Sequence, residues 1–174
     1  MNAAAIIGTR SPDRDQSERA GAIAQELSRI GVSINTGAAL GIDQVAMQCT
    51  AEGLLNVFLP WVGYNATIIP HGARITVFSP RDHKEWAESV LRFHPAADRL
   101  TRGAFALHAR NYGIVRPTRL VVAFPDEKGR GGTGQGIRIA KYFRIPLMQF
   151  NKSSAMPSVN EVIDQAVRYV GASQ

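Results

Sequence analysis

Short apolar runs alternate along the chain with longer stretches whose apolar residues recur every three or four positions. The apolar runs predict a buried strand at residues 3–8 and further strands at residues 32–35, 56–60, 74–78, 120–124 and 146–150. The longer stretches predict helices at residues 15–29, 40–52, 83–93, 98–115, 134–143 and 158–169. This alternation predicts an α/β protein with a parallel sheet and helices on both of its faces.

Helix-end signals and apolar stripes sharpen this prediction. Asp15 with Glu18 resembles a capping box, and Gly31 stands where a helix commonly ends in glycine. Residues 61–72 predict a long loop, in which Trp61 and Tyr64 either stack on a base or anchor the loop. The predicted C-terminal helix carries an apolar stripe formed by Val159, Val162, Ile163, Ala166 and Val170.

Length and composition are those of one globular domain spanning residues 1–174, with 45% hydrophobic residues. The single cysteine, Cys49, lies on an apolar helix stripe, which predicts a core position and a reducing compartment. The N-terminus lacks the basic start of a signal peptide, and no apolar run is long enough to cross a membrane. We therefore expect a cytoplasmic protein without a membrane partner.

Positive charge is concentrated in one part of the chain. The net charge is +6, and between residues 99 and 144 the only acidic residues are Asp126 and Glu127. The basic residues of this segment are Arg99, Arg102, Arg110, Arg116, Arg119, Lys128, Arg130, Arg138, Lys141 and Arg144. Such a block favours a polyanionic partner, and the alternative is a solvated surface with scattered arginines.

Glycine-rich turns follow three of the predicted strands. They contain Gly8-Thr9-Arg10, the segment 36–43 and the segment 130–134. Strands of a parallel sheet present their carboxyl ends at one edge, so these turns are expected to meet there. Glycines let backbone N–H groups approach a ligand closely, and helix starts favour phosphate.

The candidate phosphate-binding residues come from these turns and the helices beside them. They are Gly8, Thr9, Arg10, Thr36, Gly37, Asp43, Arg110, Asn111, Arg130, Gly131, Gly132, Thr133, Gly134, Arg138 and Lys141. Each also has a structural interpretation. The glycines suit tight turns, Arg110-Asn111 suits a helix surface, and Asp43 suits the first turn of a helix because it complements the helix dipole.

Other chemistry finds little support in the sequence. The four histidines lack metal-ligand spacing, and one cysteine cannot build a structural zinc site. No serine or cysteine stands in a nucleophile-elbow pattern, and the glycine turn at 131–134 lacks the ending of a Walker loop. We therefore expect no metal, no cofactor and no catalytic residue.

These motifs, taken in chain order, resemble the Rossmann-like core of the DNA-processing protein A (Smf) family, within the SLOG superfamily. The resemblance rests on residues 6–10, 36–43, 110–111, 132–134 and 145–147. Members of the family bind single-stranded DNA, load a recombinase onto it and commonly form homodimers. The resemblance implies a three-layer Rossmann-like fold and assigns Gly8, Thr9, Arg10, Gly37, Arg110, Asn111 and the turn 131–134 to an anion-binding edge.

The sequence departs from the family pattern in two places. Met47 stands where a histidine usually follows the Gly-Ile-Asp turn, and the chain resembles a compact version without flanking helical or winged-helix domains. The resemblance therefore supports anion binding more strongly than recombinase loading. LOG enzymes of the superfamily carry a catalytic glutamate after their glycine motif, whereas residues 131–140 contain none, which disfavours nucleotide hydrolysis by that route.

The motifs and the family resemblance lead to three alternative hypotheses for the function. The first is non-catalytic binding of single-stranded DNA. The second is binding or sensing of a small nucleotide derivative at the same edge. The third, the weakest, is an enzyme that cleaves an N-glycosidic or phosphate bond, with Asp43 as its acid.

Overall fold

The computed structural model describes residues 2–151 and 157–170. Its strands are β1 (Ala3–Gly8), β2 (Ser33–Thr36), β3 (Leu55–Leu59), β4 (Arg74–Val77), β5 (Leu120–Phe124) and β6 (Leu147–Gln149). Its α-helices are α1 (Arg14–Arg29), α2 (Ile42–Cys49), α3 (Lys84–Phe93), α4 (Arg102–Val115), α5 (Gly131–Tyr142) and α6 (Val159–Val170). Short 3₁₀ turns occupy Ala66–Ile68 and Ala97–Arg99.

The six strands form one parallel sheet in the order β4-β3-β2-β1-β5-β6. Strands β2, β3 and β4 follow one another on one side of β1. The chain then crosses back, and β5 and β6 lie on the other side of β1. The strand order therefore reverses between β1 and β5. Loops leaving these two strands diverge in opposite directions, which opens a crevice beyond their carboxyl ends.

Residues alternate between the two faces of the sheet, as the pleat requires. On β1, Ala4 and Ile6 pack with α1, α2 and α6, whereas Ala5 and Ile7 pack with α4 and α5. Both faces of the central strands are therefore covered. This explains why those strands read as continuous apolar runs and confirms the predicted three-layer α/β architecture, which is Rossmann-like.

The cap of helix α1 lies two residues before its predicted position. The capping box is formed by Asp13 and Gln16, whose side chains each bond the other's backbone, and the predicted pair Asp15 and Glu18 is wrong. Both predicted residues instead form exposed ion pairs along the helix. Gly31 has a φ of 82°, as the predicted glycine stop requires.

The buried Gln16 side chain has a second task. Its Nε2 donates to the carbonyls of Pro125 at 3.2 Å and Phe150 at 3.1 Å, which follow the ends of β5 and β6. The start of α1 is thereby fixed to the carboxyl ends of two strands. This position of the cap is set by the tertiary structure, because only there can Gln16 reach both carbonyls.

Three other predicted helices differ from the observed ones. Helix α2 is shorter at both ends than the predicted helix 40–52. The predicted helix 98–115 is a 3₁₀ turn followed by α4, which begins after Thr101 because the Thr101 hydroxyl accepts from the Ala104 amide. Helix α5 begins at Gly131, within the glycine turn and three residues before its predicted start. On α6, Val159, Val162, Ile163 and Ala166 contact the core as predicted, while the side chain of Val170 lies outside the described residues.

Within residues 2–151 and 157–170, every helix is too short or too polar to cross a membrane.

Candidate functional site

A cleft of about 790 Å³ opens where the strand order reverses, beyond the carboxyl ends of β1 and β5. We call it the switch-point cleft. Three segments form its walls: residues 7–11 after β1, the inner side of α4 between residues 104 and 115, and the turn at residues 126–133. Its volume lies in the range of sites that hold small ligands.

The turn before α5 presents unused backbone donors to this cleft. Gly131, Gly132 and Thr133 are the first three residues of α5, and within the described residues their amides have no hydrogen-bond partner. Gly131 has a φ of 67°, a conformation that glycine adopts without strain. These amides and the helix dipole together make this helix start attractive to an anion.

A buried ion pair forms part of the cleft wall. Arg110 on α4 and Asp43 on α2 lie 3.6 Å apart between Nη1 and Oδ2, and both side chains are almost fully buried. Burial raises the pKa of Asp43, while the Arg110 guanidinium and the Ala39 amide act in the opposite direction. The Nε of Arg110 is buried without a partner among the described residues.

Gly37 makes this ion pair possible. The Arg110 guanidinium lies directly against the Gly37 backbone, where any Cβ would overlap it. Thr36 next to it is fully buried, and its hydroxyl donates to the Ile6 carbonyl at 2.8 Å. The turn at Thr36–Gly37 therefore lies beneath the cleft and supports Arg110.

A chain of hydrogen bonds links α4 to the glycine turn. Asn111 Nδ2 donates to the Gly132 carbonyl at 3.3 Å and to Gln135 Oε1 at 3.1 Å. The same Gln135 oxygen lies 2.6 Å from His108 Nδ1. Because this oxygen already accepts from Asn111, it also acts as an acceptor toward His108, whose Nδ1 therefore carries a proton.

His108 lines the cleft beside the ring of His94, with 4.3 Å between the ring centroids. Burial lowers the pKa of His108, and the nearby charges of Arg138 and Arg110 lower it further. A neutral imidazole with its proton on Nδ1 has an unprotonated Nε2, which can accept a hydrogen bond.

The structure distributes the predicted site residues among several places. Ten of them line the switch-point cleft: Gly8, Thr9, Arg10, Asp43, Arg110, Asn111, Arg130, Gly131, Gly132 and Thr133. Thr36 and Gly37 lie beneath it. Gly134 and Arg138 face a different cavity, and Lys141 lies in the last turn of α5, about 15 Å from the glycine turn.

The exposed positive charges of the cleft are fewer than the basic block suggests. They are Arg10, Lys128 and Arg130, and the carboxylates of Asp126 and Glu127 lie beside them. Other members of the block have partners elsewhere in the fold. Arg116 stacks on Phe143 with 4.5 Å from Cζ to the ring centroid, and Arg138 Nε donates to the Phe93 carbonyl at 2.8 Å.

The polar cleft residues that were not among the predicted site residues are Ser11, His108, Asp126, Glu127 and Lys128. Ser11 directly follows the Gly8-Thr9-Arg10 turn, and Lys128 stands between a strand and a glycine turn, so proximity in the sequence could have identified both. His108 had one weaker signal, its place three residues before Asn111, which puts the two residues on one face of the helix. Trp61 and Tyr64 contact each other edge to face at 5.1 Å and lie away from the cleft.

The lining of the cleft suits anion binding and offers few groups for other kinds of chemistry. Across residues 2–151 and 157–170, no group of three or more histidine, cysteine, aspartate or glutamate residues is arranged to hold a metal ion. The Asp43 carboxylate is buried and already bonded to Arg110 and to the Ala39 amide. The fold and the site thus define a doubly wound parallel α/β protein whose switch-point cleft is lined by the amides of a helix start and by basic side chains.

Comparison with known proteins identifies the family within this class. The family described as DNA recombination-mediator protein A matches residues 1–96, and this chain belongs to it. The matched residues run from β1 through α3 and include the turns at 8–10 and 36–43, but not the glycine turn at 131–134. No curated protein matches the chain significantly.

Solved structures share the fold at low sequence identity. DNA processing protein A from Helicobacter pylori, described as binding single-stranded DNA, has a TM-score of 0.65 and 20% identity over 98% of this chain and 79% of its own. DNA processing protein A from Streptococcus pneumoniae has a TM-score of 0.51 and 17% identity over 95% of this chain and 56% of its own. A molybdenum cofactor binding protein from Rippkaea orientalis has a TM-score of 0.55 and 16% identity, over 97% and 86% of the two chains.

Proposed function

We propose that this protein binds single-stranded DNA in the switch-point cleft and acts as a recombination mediator without catalysing a reaction. The observation that carries the proposal is the presence of unused donors in one cleft: the amides of Gly131 to Thr133 and the exposed guanidinium of Arg10. The family and the DNA-binding relative from Helicobacter pylori support it.

In this proposal the protein recognises the phosphate groups of the DNA strand. A phosphate at the start of α5 accepts hydrogen bonds from the glycine-turn amides, and Arg10 approaches it from the turn after β1. Arg110 has another role, because its charge is already paired with Asp43. It holds the cleft wall in place. Phosphate contacts of this kind give affinity with little selectivity for base sequence.

The proposal is tested by titrating labelled oligothymidylate at several salt concentrations and recording fluorescence anisotropy. Affinity is expected to fall with salt at a log–log slope of about −0.7 for each phosphate neutralised. Arg10→Ala is expected to weaken binding and to make this slope less steep by about 0.7. Lys141→Ala removes the same charge far from the cleft and serves as the matched control.

A flat salt response, or equal losses in the two variants, would contradict the proposal. Loss of binding confined to one DNA sequence would also contradict it, because phosphate contacts are made to every sequence alike. Homodimerisation and a recombinase partner, both implied by the family resemblance, remain predictions. Light scattering of the purified protein and pull-down with a recombinase measure them separately.

A second candidate function is binding of a small nucleotide derivative in the same cleft. The cleft volume of about 790 Å³ and the fold shared with the molybdenum cofactor binding protein favour it. A ligand that binds only the folded protein raises its apparent stability according to its concentration and affinity. A large rise in melting temperature with micromolar nucleotide, and none with oligothymidylate, would therefore select this function.

A further inference from the structure

A second groove, of about 480 Å³, lies on the other side of the loop that walls the switch-point cleft. Asp126, Glu127 and Lys128 line both cavities, so this loop is the shared wall between them. The groove opens beyond the carboxyl ends of β5 and β6, with Gln149 on one side and α5 on the other. A ligand that crosses the wall can occupy both cavities.

The wall is fixed in place by its own hydrogen bonds. Asp126 Oδ1 accepts from the amides of Lys128 at 3.1 Å and Arg130 at 3.4 Å. The Gly129 carbonyl lies against Gly134 so closely that a Cβ at Gly134 would overlap it. The groove is therefore formed before any ligand arrives.

The chemistry of the second groove differs from that of the cleft. Its cations, Lys128 and Arg138, are matched by the carboxylates of Asp126 and Glu127, so the lining has no excess charge to attract a phosphate. What it offers is a side-chain amide. The Gln149 side chain has no hydrogen-bond partner among the described residues, and its amide atoms are not buried.

One exposed planar group completes the lining. Pro125 and Ile137 line the groove but are themselves buried, whereas Arg138 is exposed and its guanidinium is oriented by the bond from its Nε to the Phe93 carbonyl. A planar guanidinium can stack on an aromatic ring, and a glutamine amide can pair with the edge of a base. Stacking surface, an amide and neutral charge together suit a nucleobase better than a phosphate.

We propose that the second groove binds an unpaired nucleobase whose own strand has a phosphate in the switch-point cleft. The inference rests on the proposed function, since the phosphate site holds the strand in position. The glycine turn then lies beneath the sugar that joins the two groups. Gln149 bonds the edge of the base, and Arg138 stacks on its face.

The test compares two single strands of about 12 nucleotides, which is within the usual site size of such proteins. One is oligothymidylate and the other is abasic throughout, with the same number of phosphates. The wild-type protein is expected to bind the base-bearing strand about tenfold more tightly. Gln149→Ala is expected to reduce this preference about threefold and to leave binding of the abasic strand unchanged.

The control variant is Gln25→Ala, which removes an exposed glutamine from α1 and is expected to behave as wild type. Arg138→Met gives a second variant that should also lose the preference. Equal binding of the two strands by the wild-type protein, or an unchanged preference in Gln149→Ala, overturns the base site and leaves the phosphate cleft standing. Failure of the wild-type protein to bind either strand overturns both proposals.

Discussion

Two of the three glycine-rich turns, at 36–41 and 129–133, look alike in sequence but have different surroundings in the fold. In the turn at 36–41, Gly37 supports the Arg110 guanidinium, and the Gly41 backbone packs against the turn at Thr9 and Arg10. In the turn at 129–133, Gly131 has no heavy atom within 4 Å of where its Cβ would lie. The first turn is filled by the protein itself, and the second is open to a ligand.

This comparison shows that glycine serves two different needs. At Gly37 the absence of a side chain leaves room for a buried ion pair, so a side chain there would displace the Arg110 guanidinium and disturb its pairing with Asp43. At Gly131 the same absence permits a positive φ and leaves backbone donors accessible, which contributes to binding. Substitutions should therefore affect stability at the first turn, and affect DNA binding more specifically at the second.

The largest expected effect is on the ion pair that the first turn supports. Arg110→Met leaves the Asp43 carboxylate buried without its partner, and such a loss costs about 3 kcal/mol of unfolding free energy. Urea unfolding measures it. The double variant Arg110→Met with Asp43→Asn should recover much of the loss, because no unpaired charge remains. A cost near zero for the single variant would show that the pair is not desolvated.

The next effect concerns the glycine beneath that pair. Gly37→Ala places a methyl group where the Arg110 guanidinium lies, and overpacking of this kind costs about 2 kcal/mol. The control is Gly103→Ala, in the first turn of α4, where the new methyl group would lie 3.7 Å from Trp61. Since alanine favours helix over glycine, the control should be at least as stable as wild type. Equal losses of stability in Gly37→Ala and Gly103→Ala would contradict the prediction that overlap with Arg110 is what destabilises the first variant.

At the open turn a smaller loss of stability is expected. Gly131→Ala forces alanine into a φ of 67° without any overlap, at a cost of about 1 kcal/mol. Gly63→Ala has the same backbone problem, with a φ of 82° and no neighbour, but lies in the loop after β3. Both variants should lose similar stability, whereas affinity for oligothymidylate should fall only in Gly131→Ala. If affinity fell in both variants, backbone strain alone would explain the loss in Gly131→Ala.

The smallest effect concerns His108, which the hydrogen-bond chain connects to the open turn. Burial lowers its pKa in the folded state, so the unfolded chain binds the proton more tightly. Stability from this group is complete above the unfolded pKa of about 6.5 and is lost as the pH falls through the folded pKa. Unfolding free energies measured between neutral and mildly acidic pH should therefore fall less in His108→Asn than in wild type. An identical pH dependence would contradict this assignment.

The secondary structure was largely predictable because its signals are local. The apolar run at 120–124 is strand β5 with the same bounds, and the stripe of α6 packs as its periodicity indicates. The exceptions are helix ends. The cap of α1 lies at Asp13 because the buried Gln16 bonds two distant carbonyls, and no spacing within the helix reveals that requirement.

The location of the candidate site was predictable from the sequence, but the contacts of its side chains were not. A glycine turn after a strand locates the edge of the sheet, and ten of the named residues do line one cleft. Which cations are free was not predictable. Partners from other elements occupy three of the arginines, Arg110, Arg116 and Arg138. His108 is held in the cleft wall by its hydrogen bond with Gln135.

The sequence by itself determined the parallel sheet with its two helical layers, and the edge at which the glycine turns lie. Those properties depend on the periodicity of apolar residues and on short turns, and both are written in neighbouring positions. Only the tertiary structure decided which turn the protein fills and which it leaves open. That outcome depends on contacts between residues far apart in the chain, such as Arg110 with Gly37 and Asp43, and the space each side chain occupies is known only once the elements have packed.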